Sequence, residues 1–204
     1  MQEIAATDPE SVLSFWFGEI DETTGVEPSL RAKWMTSDPT FDQLIGDRFG
    51  KVLDAAARGE LDRWEATARG RLALIIVLDQ FSRNVLRGTE AMFASDHKAL
   101  GLSARGIERG DDQSLACEER MFFYMPFMHS ENLEEQRRCV GLFKALVDSA
   151  GAKLRPRIEE ALRYAEQHRE IVERFGRFPH RNATLERTST GEEVAFLRGP
   201  SSSF

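Results

Sequence analysis

Apolar residues recur at spacings of three and four along most of the chain, which is the pattern of amphipathic helices. No run of alternating apolar and polar residues indicates a strand. The clearest stripe lies at 154–175 and consists of Leu154, Ile158, Ala161, Ala165, His168, Val172 and Phe175. Steps of four and three place all seven on one face of a helix. The pattern therefore predicts an all-α protein.

Local signals set the predicted helix ends. Asp-Pro pairs at 8–9 and 38–39 combine an N-cap with a proline at the first helical position, and Gly18 and Gly59 end these two helices. Asn132 has capping-box spacing to a glutamate and begins a helix that runs to about residue 150. Shorter helices are predicted around Trp34 and at 192–197, with a Gly/Thr/Glu-rich loop at 19–28.

The segment 72–78, "LALIIVL", is apolar on every side. A helix of this kind is surrounded by other helices, so we expect it at the centre of the fold. The whole pattern predicts an antiparallel array of about 8–11 helices, either a bundle or a short helical solenoid. We expect a single all-α domain at 1–198 and a frayed C-terminal tail at 199–204.

Composition narrows the class of protein. Hydrophobic residues make up 41% of the chain, which is typical of a globular domain, and the net charge is −7. An acidic balance argues against coating DNA or RNA, so no nucleic-acid partner is expected. No signal peptide or membrane-spanning run is visible, and the two cysteines, Cys117 and Cys139, are interpreted as buried free thiols. These features predict a cytoplasmic protein without a membrane partner, and they leave its oligomeric state open.

No common catalytic or metal-binding motif occurs. HExxH, Walker and GxSxG sequences are absent, and the histidines at 97, 129, 168 and 180 lack the local spacing of metal ligands. We expect no metal, and the sequence leaves open whether the protein has a cofactor. Candidate chemistry therefore rests on three polar segments.

The first segment is "LDQFSRNVLRG". Asp79, Arg83 and Arg87 stand at i, i+4 and i+8, so they share a face while the helix continues. Asp79 follows the apolar run and is expected to be partly buried, with Arg83 as its nearest partner. One interpretation is an ion pair that fixes the central helix. The other makes Arg83, Asn84 and Arg87 donors to a ligand, with Asp79 orienting Arg83.

The second segment is "MFFYMPFMHSEN". Pro126 kinks or stops a helix there, and His129 and Glu131 lie at the break. The two side chains are interpreted either as a general acid/base pair or as part of the cap of the next helix.

The third segment is "HREIVERFGRFPHRN". His168 lies on the apolar stripe and is expected to be buried, either as a hydrogen-bonded core residue or as a ligand-binding group. Arg177 follows the helix end at Gly176, where positive charge is favoured. Pro179 forces the preceding residue into an extended conformation, so we predict a rigid, non-helical turn. This turn presents four donors, which are Arg177, His180, Arg181 and Asn182.

An Arg-Asn pair occurs twice in similar surroundings. The sequence "FSRN" at 81–84 is similar to "FPHRN" at 178–182, and each follows a helical segment. A match of four or five residues can arise by chance, so common origin has little weight, but a shared structural role is a reasonable expectation.

The three segments, in this order, resemble the bacterial family known as domain of unknown function 924. The likeness extends from the first helix to about residue 198 and implies an all-α fold similar to tetratricopeptide-repeat proteins. It brings no activity, substrate, cofactor or catalytic residue. Ser82 stands where the family's "DQFPRN" has proline. The motif positions are Asp79, Gln80, Arg83, Asn84, Arg87, Tyr124, Pro126, His129, Ser130, Glu131, His168, Arg174, Phe175, Gly176, Arg177, Phe178, Pro179, His180, Arg181 and Asn182.

The leading functional hypothesis is a polar pocket between helices that binds a small anionic ligand. Catalysis remains open. A second hypothesis is a helical-repeat module that binds a peptide in a groove with exposed aromatic residues. In a third, the polar motifs form only buried ion-pair networks. The leading hypothesis assigns residues to three roles. The charge donors are Arg83, Arg177 and Arg181, the hydrogen-bond donors are Asn84 and Asn182, and the titratable groups are His129, His168 and His180.

Overall fold

A computed structural model describes residues 8–34 and 36–199 of the protein, and it confirms the all-α prediction. Ten α-helices lie in these residues. They are α1 (Pro9–Phe17), α2 (Pro28–Trp34), α3 (Pro39–Ala57), α4 (Ala68–Ile75), α5 (Ser82–Val85), α6 (Asp96–Arg109), α7 (Cys117–Met128), α8 (Leu133–Ser149), α9 (Arg155–Phe175) and α10 (Gly191–Leu197).

The helix ends follow the capping residues that the sequence indicates. The side chains of Asp8, Asp38 and Asn132 each accept hydrogen bonds from backbone N–H groups two or three residues further on, at 2.8–3.3 Å. Gly176 ends α9 in the left-handed conformation, with φ of 68°. Local chemistry thus determines these ends, because each cap satisfies backbone groups that the helix leaves free.

The predicted loop at 19–28 contains a small antiparallel hairpin of β1 (Ile20–Asp21) and β2 (Gly25–Val26), in which Ile20 pairs with Val26. The backbone N–H of Val26 donates to the buried Glu118 Oε2 at 2.5 Å, and Arg157 Nη1 lies 2.6 Å from Glu118 Oε1. One carboxylate therefore fastens the hairpin to α7 and α9. Strands of two residues give no alternating pattern, so the sequence did not reveal them.

The apolar segment 72–78 lies at the centre, as predicted, and none of its side chains reaches solvent. The prediction of one regular helix here was wrong in one respect. Between α4 and α5 the backbone forms a π-helical segment, Ile76–Phe81, in which it takes a wider turn. Segments of this kind occur frequently at functional sites, and this one carries Asp79.

The C-terminal part of the protein packs on a separate, smaller apolar cluster. Ile171 and Val172 of α9 contact Phe178 in this cluster, with Phe175 and Phe196 at its edge. The main core ends at the middle of α9, at Ala165. Residues 176–199 are therefore held by this small cluster and by polar contacts.

Four 3₁₀ turns connect the helices of the described part: Asp62–Ala66, Glu90–Phe93, Asp111–Ser114 and Pro179–Arg181. Apart from Gly199, the predicted frayed tail at 199–204 lies outside the described residues, and the single-domain prediction stays a prediction. None of the described helices has the length and apolar character needed to cross a membrane.

Candidate functional site

Five side chains from distant parts of the sequence meet in what we call the polar cluster: Asp79, Arg83, Asp96, His129 and Arg181. Asp79 comes from the π-helical segment and Arg83 from α5. Asp96 is the first residue of α6, His129 follows α7, and Arg181 ends the 3₁₀ turn after α9. Two of the three predicted arginine donors thus share one location.

Asp79 is fully buried and is surrounded by hydrogen-bond donors. Its Oδ1 lies 2.7 Å from His129 Nδ1 and 3.1 Å from Arg83 Nη1, and Gln80 Nε2 donates to Oδ2 at 2.6 Å. Burial alone raises the pKa of a carboxyl group, but the charge of Arg83 and the contacts with His129 hold the pKa of Asp79 below its usual range. Asp79 therefore carries a negative charge inside the protein.

Two guanidinium groups share the carboxylate of Asp96. Arg83 binds it with two parallel hydrogen bonds of 2.9 Å, and Arg181 Nη1 donates to Oδ2 at 3.3 Å. Arg181 Nη2 also donates to the backbone carbonyl of His129 at 2.9 Å. The rings of Phe93 and Phe178 each lie 4.6 Å from the Arg181 Cζ atom. Arg181 is therefore fixed both in position and in orientation.

The charge of Arg181 is only partly compensated. Its side chain is 8% exposed, and burial, followed by the positive charge of Arg83, lowers its pKa to about 10. A guanidinium group has five N–H donors. Among the described residues Arg181 makes two hydrogen bonds, and its buried Nε atom has no partner. A buried cation with unused donors attracts an anion.

His129 is fixed through both its backbone and its ring. Burial, followed by the charge of Arg83, lowers its pKa, so the imidazole is neutral at pH 7 and donates its Nδ1 hydrogen to Asp79. Within the part of the protein that the structure describes, no hydrogen bond to Nε2 is formed, and the side chain is 17% exposed. Nε2 therefore remains available as an acceptor.

Glu131 has partners of its own. It accepts from the backbone N–H of Phe178 at 2.8 Å and from Arg187 at 2.7 and 2.9 Å. His129 pairs with Asp79, so the structure does not place His129 and Glu131 together as an acid/base pair, and the cap of α8 is Asn132. Glu131 instead fastens the C-terminal segment beside the polar cluster.

Two further histidines, one in α9 and one in the C-terminal segment, contact Phe178. His168 is 6% exposed, its Nδ1 lies 2.7 Å from the carbonyl of Tyr164, and burial lowers its pKa to about 3. Burial and the charge of Arg181 lower the pKa of His180 to about 4. Both rings contact the Phe178 side chain, at centroid distances of 5.4 and 5.5 Å. His168 is thus buried, as expected, and its ring contacts the backbone of α9.

Arg177 and Asn182 lie apart from Asp96 and bind α10. Arg177 makes two hydrogen bonds to Glu193, at 2.7 and 2.9 Å, and Asn182 Nδ2 donates to Ser189 at 3.0 Å and to Glu193 at 3.4 Å. Phe178 is extended, as predicted. The turn after it was predicted as non-helical, but Pro179–Arg181 forms one 3₁₀ turn, because proline fits the first position of a helical turn.

Asn84 and Arg87 also point away from the polar cluster. Both donate to Asp42 on α3, at 2.7 Å from Asn84 and at 2.8 and 3.1 Å from Arg87. The expectation that Arg87 shares a face with Asp79 required a continuous helix, and α5 ends at Val85. These two residues thus join the central helix to α3.

The repeated Arg-Asn pair has a parallel role in its two occurrences. In each, the arginine binds Asp96, which both Arg83 and Arg181 contact. In each, the asparagine donates to a different carboxylate that a further arginine also binds, Asp42 in one case and Glu193 in the other. The expectation of a shared structural role agrees with these contacts.

Sequence reasoning missed Asp96 and Phe93, which complete the polar cluster. Aspartate is common in the first turn of a helix because it is stabilised by the helix dipole. The presence of Asp96 there therefore did not indicate a binding site. Arg187 and Glu193 were missed because both residues follow the end of the recognised motif at Asn182. Only the fold brings these residues to the motif positions.

A separate cavity of about 600 Å³ lies between α1 and the start of α7, with Arg69, Cys117 and Glu119 in its wall. Arg69 is already bound to Glu10 and Glu119. Both cysteines are free thiols, and Cys117 is half-buried whereas Cys139 is buried. No group of three or more His, Cys, Asp or Glu side chains within residues 8–34 and 36–199 is arranged to hold a metal ion.

The exposed aromatic groove expected of a peptide-binding module is not found among the described residues. The exposed large apolar side chains there are Leu44 and Val194, and neither is aromatic. This surface offers little of the apolar contact on which peptide grooves depend.

Comparison with known proteins identifies the class to which this helical array belongs. Residues 12–201 match the family described as bacterial protein of unknown function (DUF924), so the chain belongs to that family. A solved structure of a protein of unknown function from Agrobacterium tumefaciens is 40% identical, with a TM-score of 0.79 over 94% of this chain and 97% of that chain. No curated protein matches the sequence. The resemblance seen in the motifs is confirmed.

Proposed function

We propose that the protein binds a small anionic ligand at the polar cluster, with Arg181 as the main charge donor. The observation that carries this proposal is the buried guanidinium of Arg181, which uses two of its donors and whose pKa is lowered to about 10. A buried cation in this state gains more from an anion than a solvated one does, because no water competes for its donors.

The surroundings of Arg181 restrict how a ligand approaches. The rings of Phe93 and Phe178 pack against the guanidinium group, so an anion reaches it at the edge that these rings leave open. Three other members of the cluster are partly accessible to solvent: Arg83 is 16% exposed, His129 17% and Asp96 21%. Asp96 occupies the position between the two arginines that a ligand carboxylate would share or take over.

The rival interpretation is a purely structural ion-pair network, and Asp79 supports it. Because this buried carboxylate depends on Arg83 and His129, removing the charge of Arg83 destabilises the fold under either interpretation. Loss of stability in an Arg83 variant therefore does not distinguish the ligand-binding interpretation from the structural one. Binding of an added anion distinguishes them.

The test is thermal unfolding with phosphate, acetate, succinate or citrate at constant ionic strength. A ligand at 100 times its dissociation constant adds about 2.7 kcal/mol to the free energy of unfolding. We expect at least one of these anions to stabilise the protein, and the variant Arg181→Gln to lose this stabilisation. Arg174→Gln is the matched control, because Arg174 is 54% exposed and pairs with Glu192 outside the polar cluster.

Two results would count against the proposal. In the first, no anion stabilises the protein beyond an equal ionic strength of sodium chloride. In the second, Arg181→Gln and Arg174→Gln respond to the anions alike. If Arg181→Gln does not fold, Arg181→Lys keeps the charge but removes the planar donors, and it is expected to bind the anion more weakly.

A further inference from the structure

His129 offers a ligand something that the arginines cannot offer. A guanidinium group only donates hydrogen bonds, whereas a neutral imidazole whose Nδ1 hydrogen is engaged has an acceptor at Nε2. Asp79 engages that hydrogen at 2.7 Å, and among the residues that the structure describes Nε2 has no partner. The site thus combines anion donors with one oriented acceptor.

The acceptor and the cations lie close together. Asp79 Oδ1 contacts both His129 Nδ1, at 2.7 Å, and Arg83 Nη1, at 3.1 Å, so one oxygen atom bridges the imidazole and the guanidinium. Arg181 binds the backbone carbonyl of the same histidine at 2.9 Å. The imidazole of His129 is therefore a neighbour of both guanidinium groups, and a ligand bound by the arginines lies close to this ring.

The group that meets Nε2 must donate a hydrogen bond without carrying a positive charge. Asp79 and Asp96 already pair with the two guanidinium groups of this site, so neither carboxylate is left without a partner for an added ammonium group. Burying a charged donor there costs more than burying a neutral one, and a hydroxyl group is the smallest neutral donor.

We propose, on the basis of the proposed function, that the ligand is a short hydroxy acid whose hydroxyl group donates to Nε2 of His129 while its anionic group faces Arg83 and Arg181. The neutral state of His129, which follows from burial and from the charge of Arg83, agrees with this arrangement. His129 is then the residue that distinguishes hydroxy acids from acids that lack the hydroxyl group.

Matched pairs of acids test this at pH 7.5: glycolate against acetate, lactate against propionate, and malate against succinate. Dissociation constants come from calorimetry, with wild type and His129→Asn. Asparagine places an amide N–H near the position of Nδ1, which keeps the contact with Asp79, but it has no acceptor at the position of Nε2. In wild type we expect the hydroxy acid to bind about 3- to 10-fold more tightly, the contribution of one hydrogen bond.

In His129→Asn the ratio of the two affinities should fall below about twofold, because the variant lacks the acceptor that distinguishes the two acids. If wild type binds both members of each pair equally, the inference is wrong and the proposed function stands. If no acid binds to the wild type, both the hydroxy-acid inference and the proposed function are wrong. Should the variant not fold, nitrogen NMR of wild type decides, because only the hydroxy acid should shift the Nε2 resonance of His129.

Discussion

His168 makes the stability of the protein depend on pH. It packs against Phe178 in the small C-terminal cluster, and burial lowers its pKa from 6.5 to about 3. Once the protein unfolds, the imidazole returns to its ordinary pKa and takes up a proton below about pH 6.5. The unfolded state therefore binds more protons than the folded state between these two pKa values, and stability falls as the pH is lowered from 6.5 towards 3.

The expected loss for His168 is about 2 kcal/mol between pH 8 and pH 5. At pH 5 the unfolded imidazole lies about 1.5 pH units below its pKa, and each unit contributes about 1.4 kcal/mol. The folded imidazole is still neutral at that pH, so the loss hardly changes if its pKa is about 4 instead of 3. Carboxyl groups contribute little in this window, because they titrate at lower pH.

Urea unfolding at pH 8 and pH 5 measures this loss in wild type and in His168→Asn. The asparagine does not titrate, and its amide N–H can replace the donor that lies 2.7 Å from the Tyr164 carbonyl. We expect the variant to lose about 2 kcal/mol less than wild type between the two pH values. His129 and His180, whose pKa values are also lowered, contribute slopes of the same sign that remain in the variant. Equal slopes in the two proteins would refute the assignment of a buried, neutral His168.

Two further predictions concern matched pairs of positions and are checked by urea unfolding at pH 7.5. Arg83→Met leaves a fully buried aspartate without its ion pair and should cost about 3–5 kcal/mol, whereas Arg87→Met removes an arginine that is 43% exposed and should cost less than about 1 kcal/mol. Similar losses would contradict the buried network. Gly25→Ala should destabilise by more than about 1 kcal/mol, because φ is 75° and a Cβ atom would overlap the Glu118 carboxylate. Gly141→Ala, which meets nothing within 4 Å in α8, should instead stabilise by about 0.5–1 kcal/mol, and the opposite order would be inconsistent with the hairpin contact.

The sequence predicted those features that depend on neighbouring residues. Asp8, Asp38 and Asn132 act as caps because their partners lie two or three residues away. The central position of 72–78 also followed from the sequence alone, since a helix without a polar face must be enclosed. Short-range chemistry was sufficient for both.

The members of the polar cluster were only partly predictable. The pairing of Asp79 with Arg83 follows from i, i+4 spacing, but the contact of Arg181 with Asp96 joins residues 85 positions apart. Arg87 was assigned to the same face because nothing in the composition indicates that the helix widens at 76–81 and then ends at Val85. Long-range contacts and helix irregularity thus account for what sequence reasoning missed.

The π-helical segment sets the direction in which Arg83 points. Its wider turn holds about one residue more than an α-helical turn does. If Ile76–Phe81 adopted ordinary α-helical turns with no residue removed, Arg83 would turn by about 100° around the helix axis and face away from Asp96. Deleting one residue of the segment would instead remove the extra residue together with the wider turn, so Arg83 would keep its direction. The contact of Arg83 with Asp96 therefore depends on the backbone form of a segment to which neither residue belongs.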